Sequence, residues 1–166
     1  MEKVISLTKL KSTSNYYDEI ADSYNELHGE EQKKKLRLIL PFIDSSSVLD
    51  VGCGTGIASV DFAVGIDPSK SLLEQNKINR EKHLGNAEKL PFKDKSFDTI
   101  ICITAIQHCN IDKTLKEFKR VARRKIIISV LKRIDNYENI VAKIKKALKV
   151  KKEINEEKDL IIISEV

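Results

Sequence analysis

Three glycines follow a short apolar segment, VLDV, at residues 48–51 of this 166-residue chain. Gly52, Gly54 and Gly56 lack the Cβ atom that would keep a ligand away from the backbone, so we interpret this loop as a contact surface. Eleven residues after Gly56, the next apolar segment ends at Asp67. The two oxygens of a carboxylate at such a strand end can accept hydrogen bonds from both hydroxyls of a ribose. The two features predict a site for a small molecule that contains a nucleoside.

The spacing of the glycines indicates which nucleoside compound is bound. A dinucleotide-binding turn has the pattern G-x-G-x-x-G, whose third glycine lets the helix pack closely on the strand. Ile57 occupies that third position here, and the loop reads G-x-G-x-G instead. The interval from Gly52 to Asp67 also leaves room for only about two helical turns. An NAD-dependent oxidoreductase is therefore the weaker alternative.

The elements that must hold these residues alternate along the chain, which is typical of an α/β fold. We expect strands at about 47–51, 63–66, 81–84, 97–103, 125–131, 149–154 and 159–165. We expect two helices within 15–43, a short one from Ile57 to Phe62, and others at about 69–78, 111–123 and 136–148. Only residues 155–158 join the last two strands. Because a parallel crossover needs a dozen or more residues, the last strand must be antiparallel.

Four motifs occur in order along the chain: DVGCGTG from residue 50, GIDPS from residue 65, GNAEKLPF from residue 85 and SFD from residue 96. Together they resemble the class I S-adenosylmethionine-dependent methyltransferases, and most closely the ubiquinone/menaquinone-biosynthesis group, known as type 11. The resemblance covers about residues 16–131. It implies a Rossmann-like three-layer α/β/α sandwich with a mostly parallel seven-stranded sheet and an antiparallel C-terminal strand. The Leu-Lys-Pro-Gly-Gly turn that the family normally has after the helix at 111–123 is missing here, which should shorten that connection.

The resemblance also implies a role for individual residues in binding S-adenosylmethionine. Asp50 would order the glycine loop, Asp67 would hold the ribose hydroxyls, and Tyr24 would close over the cofactor together with Tyr16 and Tyr17. Asn86 stands where the family usually has aspartate and would contact the adenine amino group, which the amide oxygen of asparagine can still do. The complete set of expected cofactor-binding residues is Tyr24, Asp50, Gly52, Cys53, Gly54, Asp67, Pro68, Asn86, Ala87 and Thr104.

Methyl transfer from a sulfonium requires an aligned acceptor and the exclusion of water, and it needs no catalytic triad. If the acceptor loses a proton, a base must lie within hydrogen-bond reach, and His108 is the candidate near the expected mouth of the site. A histidine that fixes the loop, or one that is exposed to solvent, is the alternative interpretation. Cys109 follows His108, but no second pair of ligands with zinc spacing is present, so we expect no metal site.

Length and composition favour a single domain. The 166 residues, 41% of them hydrophobic, suffice for one core and are too few for two. We expect a flexible leader at 1–14, N-terminal helices at 15–43 and an α/β core at 47–166. The sequence has neither a run of about 18 apolar residues nor an apolar secretion signal, and its three cysteines have no paired spacing. These features predict a cytoplasmic protein with reduced thiols and no membrane partner.

Positive charge is concentrated in residues 113–152, which carry 15 Lys or Arg against 3 Asp or Glu, a net charge of +12. Many of these residues recur at three- and four-residue spacing and therefore share one side of a helix. Such a basic face attracts polyanions such as tRNA or rRNA, although lysine-rich solvent faces are also ordinary. The sequence thus leaves the acceptor open between a small molecule and RNA. A partner subunit also stays an open alternative, as does a catalytically silent module that binds the cofactor and docks through the basic face.

Overall fold

A computed structural model describes residues 19–166. Its centre is a seven-stranded sheet in the order β3-β2-β1-β4-β5-β7-β6, in which β7 is antiparallel to both of its neighbours. The other pairs are parallel. The expected sheet and its antiparallel C-terminal strand are confirmed. The strands are β1 Val48–Val51, β2 Val64–Asp67, β3 Glu81–Leu84, β4 Phe97–Ile103, β5 Ala122–Leu131, β6 Lys149–Asn155 and β7 Asp159–Glu165.

Helices cover both faces of this sheet, as expected for three layers. They are α1 Tyr24–Ile39, α2 Lys70–Gln75, α3 Ile111–Val121 and α4 Tyr137–Ala147, with 3₁₀ turns at Ala21–Ser23, Leu40–Phe42 and Ile106–His108. Alternate residues of the central strands point to opposite faces. Ile100 and Cys102 pack in the cluster that contains residues of α3 and α4, whereas Ile101 and Ile103 pack with Ile39 at the end of α1. Burial on both sides accounts for the almost continuous apolar sequence of β4 and β5.

One local expectation was wrong, because the segment from Ile57 to Phe62 forms turns instead of a helix. Of the two helices expected within 15–43, the second corresponds to α1, which begins at Tyr24, and the first falls partly on residues outside the described range. Strand β5 begins at Ala122, directly after α3 ends at Val121, so the connection is short, as the missing turn predicted. The leader, Tyr16 and Tyr17 lie outside the described residues.

Candidate functional site

A cavity of about 360 Å³ opens at the carboxyl ends of β1, β2 and β4, between the glycine loop and the start of α1. This is the edge at which open α/β sheets bind ligands, and the volume is sufficient for one small molecule. The structure brings nine of the eleven residues expected in the site to its lining. They are Tyr24, Gly52, Gly54, Asp67, Pro68, Asn86, Ala87, Thr104 and His108.

The glycine loop adopts a backbone that favours glycine at all three positions. The φ angles of Gly52, Gly54 and Gly56 are 78°, 51° and 82°. A Cβ atom on Gly52 would lie 2.5 Å from the Cβ of Ala105, closer than two carbon atoms can approach. The backbone N–H of Gly52 donates to the Ile66 carbonyl at 2.8 Å and ties the loop to β2. The loop therefore presents bare backbone to the cavity, as the sequence predicted.

Asp67 is buried at the end of β2, with its carboxylate facing the loop. Oδ2 accepts a hydrogen bond from the N–H of Gly54 at 2.9 Å, and Oδ1 accepts one from the N–H of Ser69 at 2.8 Å. A carboxylate can accept about four hydrogen bonds in all, and Asp67 lines the cavity. This arrangement suits a vicinal diol, whose two hydroxyls can each donate to one oxygen.

Two of the expected cofactor residues lie behind the loop instead of lining the cavity. Asp50 is buried below it, where burial raises the pKa of the carboxyl group to about 7, opposed by a hydrogen bond from Ser59 and reinforced by the charge of Asp67. Cys53 points toward Gly65 and away from the cavity. Burial raises the pKa of its thiol far above the ordinary value, so the sulfur stays protonated and is a poor nucleophile. We assign both residues to the support of the loop.

A buried ionic cluster that no sequence motif indicates lies next to the cavity. Lys35 of α1 is 0% exposed, and its Nζ lies 2.7 Å from Glu31 Oε1, 2.9 Å from Thr104 Oγ1 and 2.9 Å from Asp159 Oδ1. The contact with Asp159 Oδ1 lacks hydrogen-bond geometry and is an ion-pair contact. Asp159 Oδ2 accepts from the hydroxyls of Thr104 and Ser129, both at 2.8 Å. The cluster holds Thr104, whose φ of 52° is unusual for a β-branched residue, at the cavity wall.

His108 and Tyr24 both line the cavity. Burial lowers the pKa of His108, so its imidazole is neutral at pH 7 and can accept a proton. The ring of Tyr24 lies 5.3 Å from that of His28.

Among residues 19–166, no group of three or more His, Cys, Asp or Glu side chains is placed to hold a metal ion. The same part of the chain has no helix long and apolar enough to cross a bilayer.

The sequence model of a family described as "Methyltransferase domain" matches residues 49–130, which include the glycine loop, Asp67, Asn86 and His108. The chain belongs to the class I S-adenosylmethionine-dependent methyltransferases. An uncharacterised protein of Methanocaldococcus jannaschii is 40% identical over 119 residues, which are 65% of this chain and 46% of that protein. An uncharacterised methyltransferase of Bacillus subtilis is 34% identical over 92 residues, 46% of this chain and 36% of that protein.

The fold of this methyltransferase domain recurs in solved structures. Magnesium protoporphyrin IX methyltransferase from Synechocystis, crystallised with S-adenosylmethionine, superposes with a TM-score of 0.72 and 13% identity over 92% of this chain and 94% of that one. At this identity the likeness concerns the fold alone. The chain spans 46–62% of the length of three M. jannaschii relatives.

Proposed function

We propose that this methyltransferase domain binds S-adenosylmethionine in the cavity and transfers its methyl group to an acceptor. The observation that carries the proposal is the position of the Asp67 carboxylate, which is hydrogen-bonded to Gly54 of the glycine loop and lines the cavity. The steric exclusion of any side chain at Gly52 further supports it, because a ligand can then touch the backbone.

Each wall of the cavity would hold one part of the cofactor. Gly52, Gly54 and Thr104 would contact the methionine end, and Asp67 the ribose. Pro68, Asn86 and Ala87 would enclose the adenine. Tyr24, at the start of α1, lies where its ring can cover the bound molecule and exclude water. When bound, the cofactor supplies a methyl group activated by a sulfonium.

The chain's own part in the transfer is to align the acceptor and to receive a proton. The acceptor's lone pair forms the new bond to the methyl carbon while the bonding pair of the S–CH₃ bond returns to sulfur. An amine or hydroxyl acceptor must also lose a proton. His108 is neutral and lies on the cavity wall, so its imidazole can accept that proton. The charged side chains that line the cavity within residues 19–166 are the carboxylates of Asp67 and Glu88, which favours amines over anions as the first acceptors to test.

Calorimetric titration with S-adenosylmethionine and its demethylated product tests the binding proposal. We expect both compounds to bind the wild type, and Asp67→Asn to weaken binding by roughly tenfold or more, since a charge-assisted hydrogen bond contributes about 1.5–3 kcal/mol. The matched control is Asp61→Asn, which changes an exposed aspartate of the same loop region. Correctly folded wild-type protein that releases no heat with either compound would contradict the proposal. Parallel titration with NAD tests the oxidoreductase alternative.

The second candidate function is a cofactor-binding module that docks on RNA without catalysis. Lys113, Lys116 and Lys119 lie exposed along one side of α3 and support this alternative. Other basic residues of this region are paired, such as Lys143 with Asp112 at 2.6 Å. If the basic face docks RNA, tRNA affinity should fall steeply with added salt and with glutamate at the three exposed lysines. Turnover on any member of an amine, hydroxyl and tRNA panel would reject the silent module. The partner subunit and the cytoplasmic location stay predictions.

A further inference from the structure

The glycine loop is held in place by two buried asparagines instead of by a helix of its own. Residues 52–63 form successive turns, so no helical hydrogen bonds fix them after Gly56. Asn76 and Asn79, just after α2, are 0% and 4% exposed. Their side-chain amides reach into the loop. A buried amide that is fully hydrogen-bonded restrains its partners, because each lost bond leaves a polar group without water.

Asn76 acts on the part of the loop that faces the cavity. Its Nδ2 donates to the carbonyl of Gly54 at 3.1 Å, and the N–H of the same Gly54 donates to Asp67 Oδ2 at 2.9 Å. Gly54 is therefore fixed from both sides, by an amide behind the loop and by the carboxylate within the cavity. These two consecutive hydrogen bonds, from Asn76 to Gly54 and from Gly54 to Asp67, set the distance between the glycine loop and the carboxylate.

The orientation of the Asn76 amide is itself fixed. Its Oδ1 accepts hydrogen bonds from the N–H groups of Ile78 and Asn79, both at 3.0 Å, which leaves Nδ2 as the atom that faces Gly54. A Cβ atom on Gly56 would lie 2.7 Å from Asn76 Oδ1, so the loop packs directly on this side chain. Asn76 thus supplies the donor that a helical turn would otherwise provide.

Asn79 acts on the far half of the loop. Its Nδ2 donates to Ser59 Oγ at 2.8 Å, to the Ala63 carbonyl at 3.0 Å and to the Val60 carbonyl at 3.1 Å. Among these partners, none lines the cavity. The two buried amides are linked, because Asn76 Nδ2 also donates to Asn79 Oδ1 at 2.8 Å. They bond different parts of the loop, and of the two only Asn76 donates to a residue of the cavity wall.

We propose that Asn76 is a positioning residue for the cofactor site, which it shapes by holding the Gly54 peptide against Asp67. This inference rests on the proposed function, because it assigns the cavity to S-adenosylmethionine. In the ligand-free protein, the hydrogen bond from Gly54 to Asp67 should open more often when the donor of Asn76 is removed.

Asn76→Asp tests the proposal, because aspartate keeps the acceptor for Ile78 and Asn79 and loses the donor to Gly54. Asn79→Ala is the matched control, and thermal unfolding measures the stability lost in each variant. We expect Asn76→Asp to weaken binding of the demethylated cofactor product by roughly tenfold or more, on the order of one buried hydrogen bond. We expect less than about threefold for Asn79→Ala even where it lowers the melting temperature as much.

Hydrogen exchange at the Gly54 amide provides a second readout that needs no ligand. Faster exchange at Gly54 in Asn76→Asp than in Asn79→Ala would support the positioning role. This result would hold even if the wild type failed to bind S-adenosylmethionine, and that failure would refute only the proposed function. Equal exchange at Gly54 in wild type and Asn76→Asp would overturn the inference. Equal losses of affinity in the two variants would overturn it as well, because the network would then act only through general stability.

Discussion

Replacing Lys35 by methionine should destabilise the protein more than any exposed ion pair could account for. The side chain is 0% exposed and lies between Glu31 and Asp159, whose carboxylate is also 0% exposed. Methionine fills a similar volume without a charge. Removing one member of a buried ion pair costs about 3–5 kcal/mol, because the remaining charge is left in a poorly solvated place.

The contacts of the two carboxylates place the expected cost near the lower limit. Glu31 keeps its ion pair with Lys158 at 2.7 Å, and Asp159 Oδ2 keeps the hydroxyls of Thr104 and Ser129. Glu31 Oε1 and Asp159 Oδ1 both lose their contact with the ammonium, but Glu31 still has a cationic partner in Lys158. We therefore expect a loss of about 3 kcal/mol in the free energy of unfolding, which a domain stable by roughly 5–15 kcal/mol survives.

Urea unfolding of wild type and variants measures this loss. Lys70→Met is the control, since Lys70 and its partner Glu74 are 77% and 65% exposed, and we expect less than about 1 kcal/mol there. Adding Asp159→Asn to Lys35→Met should restore part of the stability, because the amide removes the charge and keeps an acceptor for Thr104. A loss for Lys35→Met within about 1 kcal/mol of the control would refute the reasoning.

Three further predictions concern the loop and its neighbours. Gly52→Ala should lower both the melting temperature and the cofactor affinity, since its Cβ would lie 2.5 Å from the Cβ of Ala105. Gly29→Ala in α1 is the control, and equal effects of the two substitutions would contradict the steric argument. Asp50→Asn should gain stability relative to wild type as pH rises from about 4 to about 7 in urea unfolding. Burial raises the Asp50 pKa to about 7, so over this range the folded wild type keeps a proton that the unfolded chain has lost, and its stability falls as pH rises. His108→Gln should flatten the rise of stability with pH just below 6.5. In wild type the lowered pKa of His108 makes the unfolded chain bind more protons than the folded one in this range, so stability rises with pH. For each of the two variants, a dependence of stability on pH that equals that of wild type would contradict the argument.

The sequence predicted the parts of the site that depend on local motifs. Gly52, Gly54 and Asp67 are recognisable because the ligand contact and the ribose contact that we propose for them would impose residue types at fixed positions along neighbouring strands. The alternation of apolar segments likewise predicted the sheet, and the short link at 155–158 predicted its antiparallel strand. Each of these signals lies within a few residues of the feature it predicts.

Features that depend on distant contacts were missed. Lys35 lies among Lys33 and Lys34 in a helix rich in charge, and its burial depends on Asp159, which is 124 positions later in the chain. Of the two asparagines Asn76 and Asn79, only the first carries a weak local signal, because its side chain accepts from the N–H groups two and three residues later, as is typical of turns. Nothing local indicates that their amides replace the short helix expected after Gly56. Six residues form a poor isolated helix, and Asn79 binds the carbonyls of Val60 and Ala63 instead.

The position of β7 has a consequence for biosynthesis. This strand is the last along the described chain, yet it lies between β5 and β6 and supplies Asp159 to Lys35. While the ribosome is still making residues 159–165, one edge of β5 is an unpaired apolar strand, a template for aggregation. A chain that stops after residue 155 should therefore be insoluble and bound by chaperones rather than fold into a smaller domain. The same late event joins β6 to the rest of the sheet and gives the buried ammonium of Lys35 its second carboxylate partner.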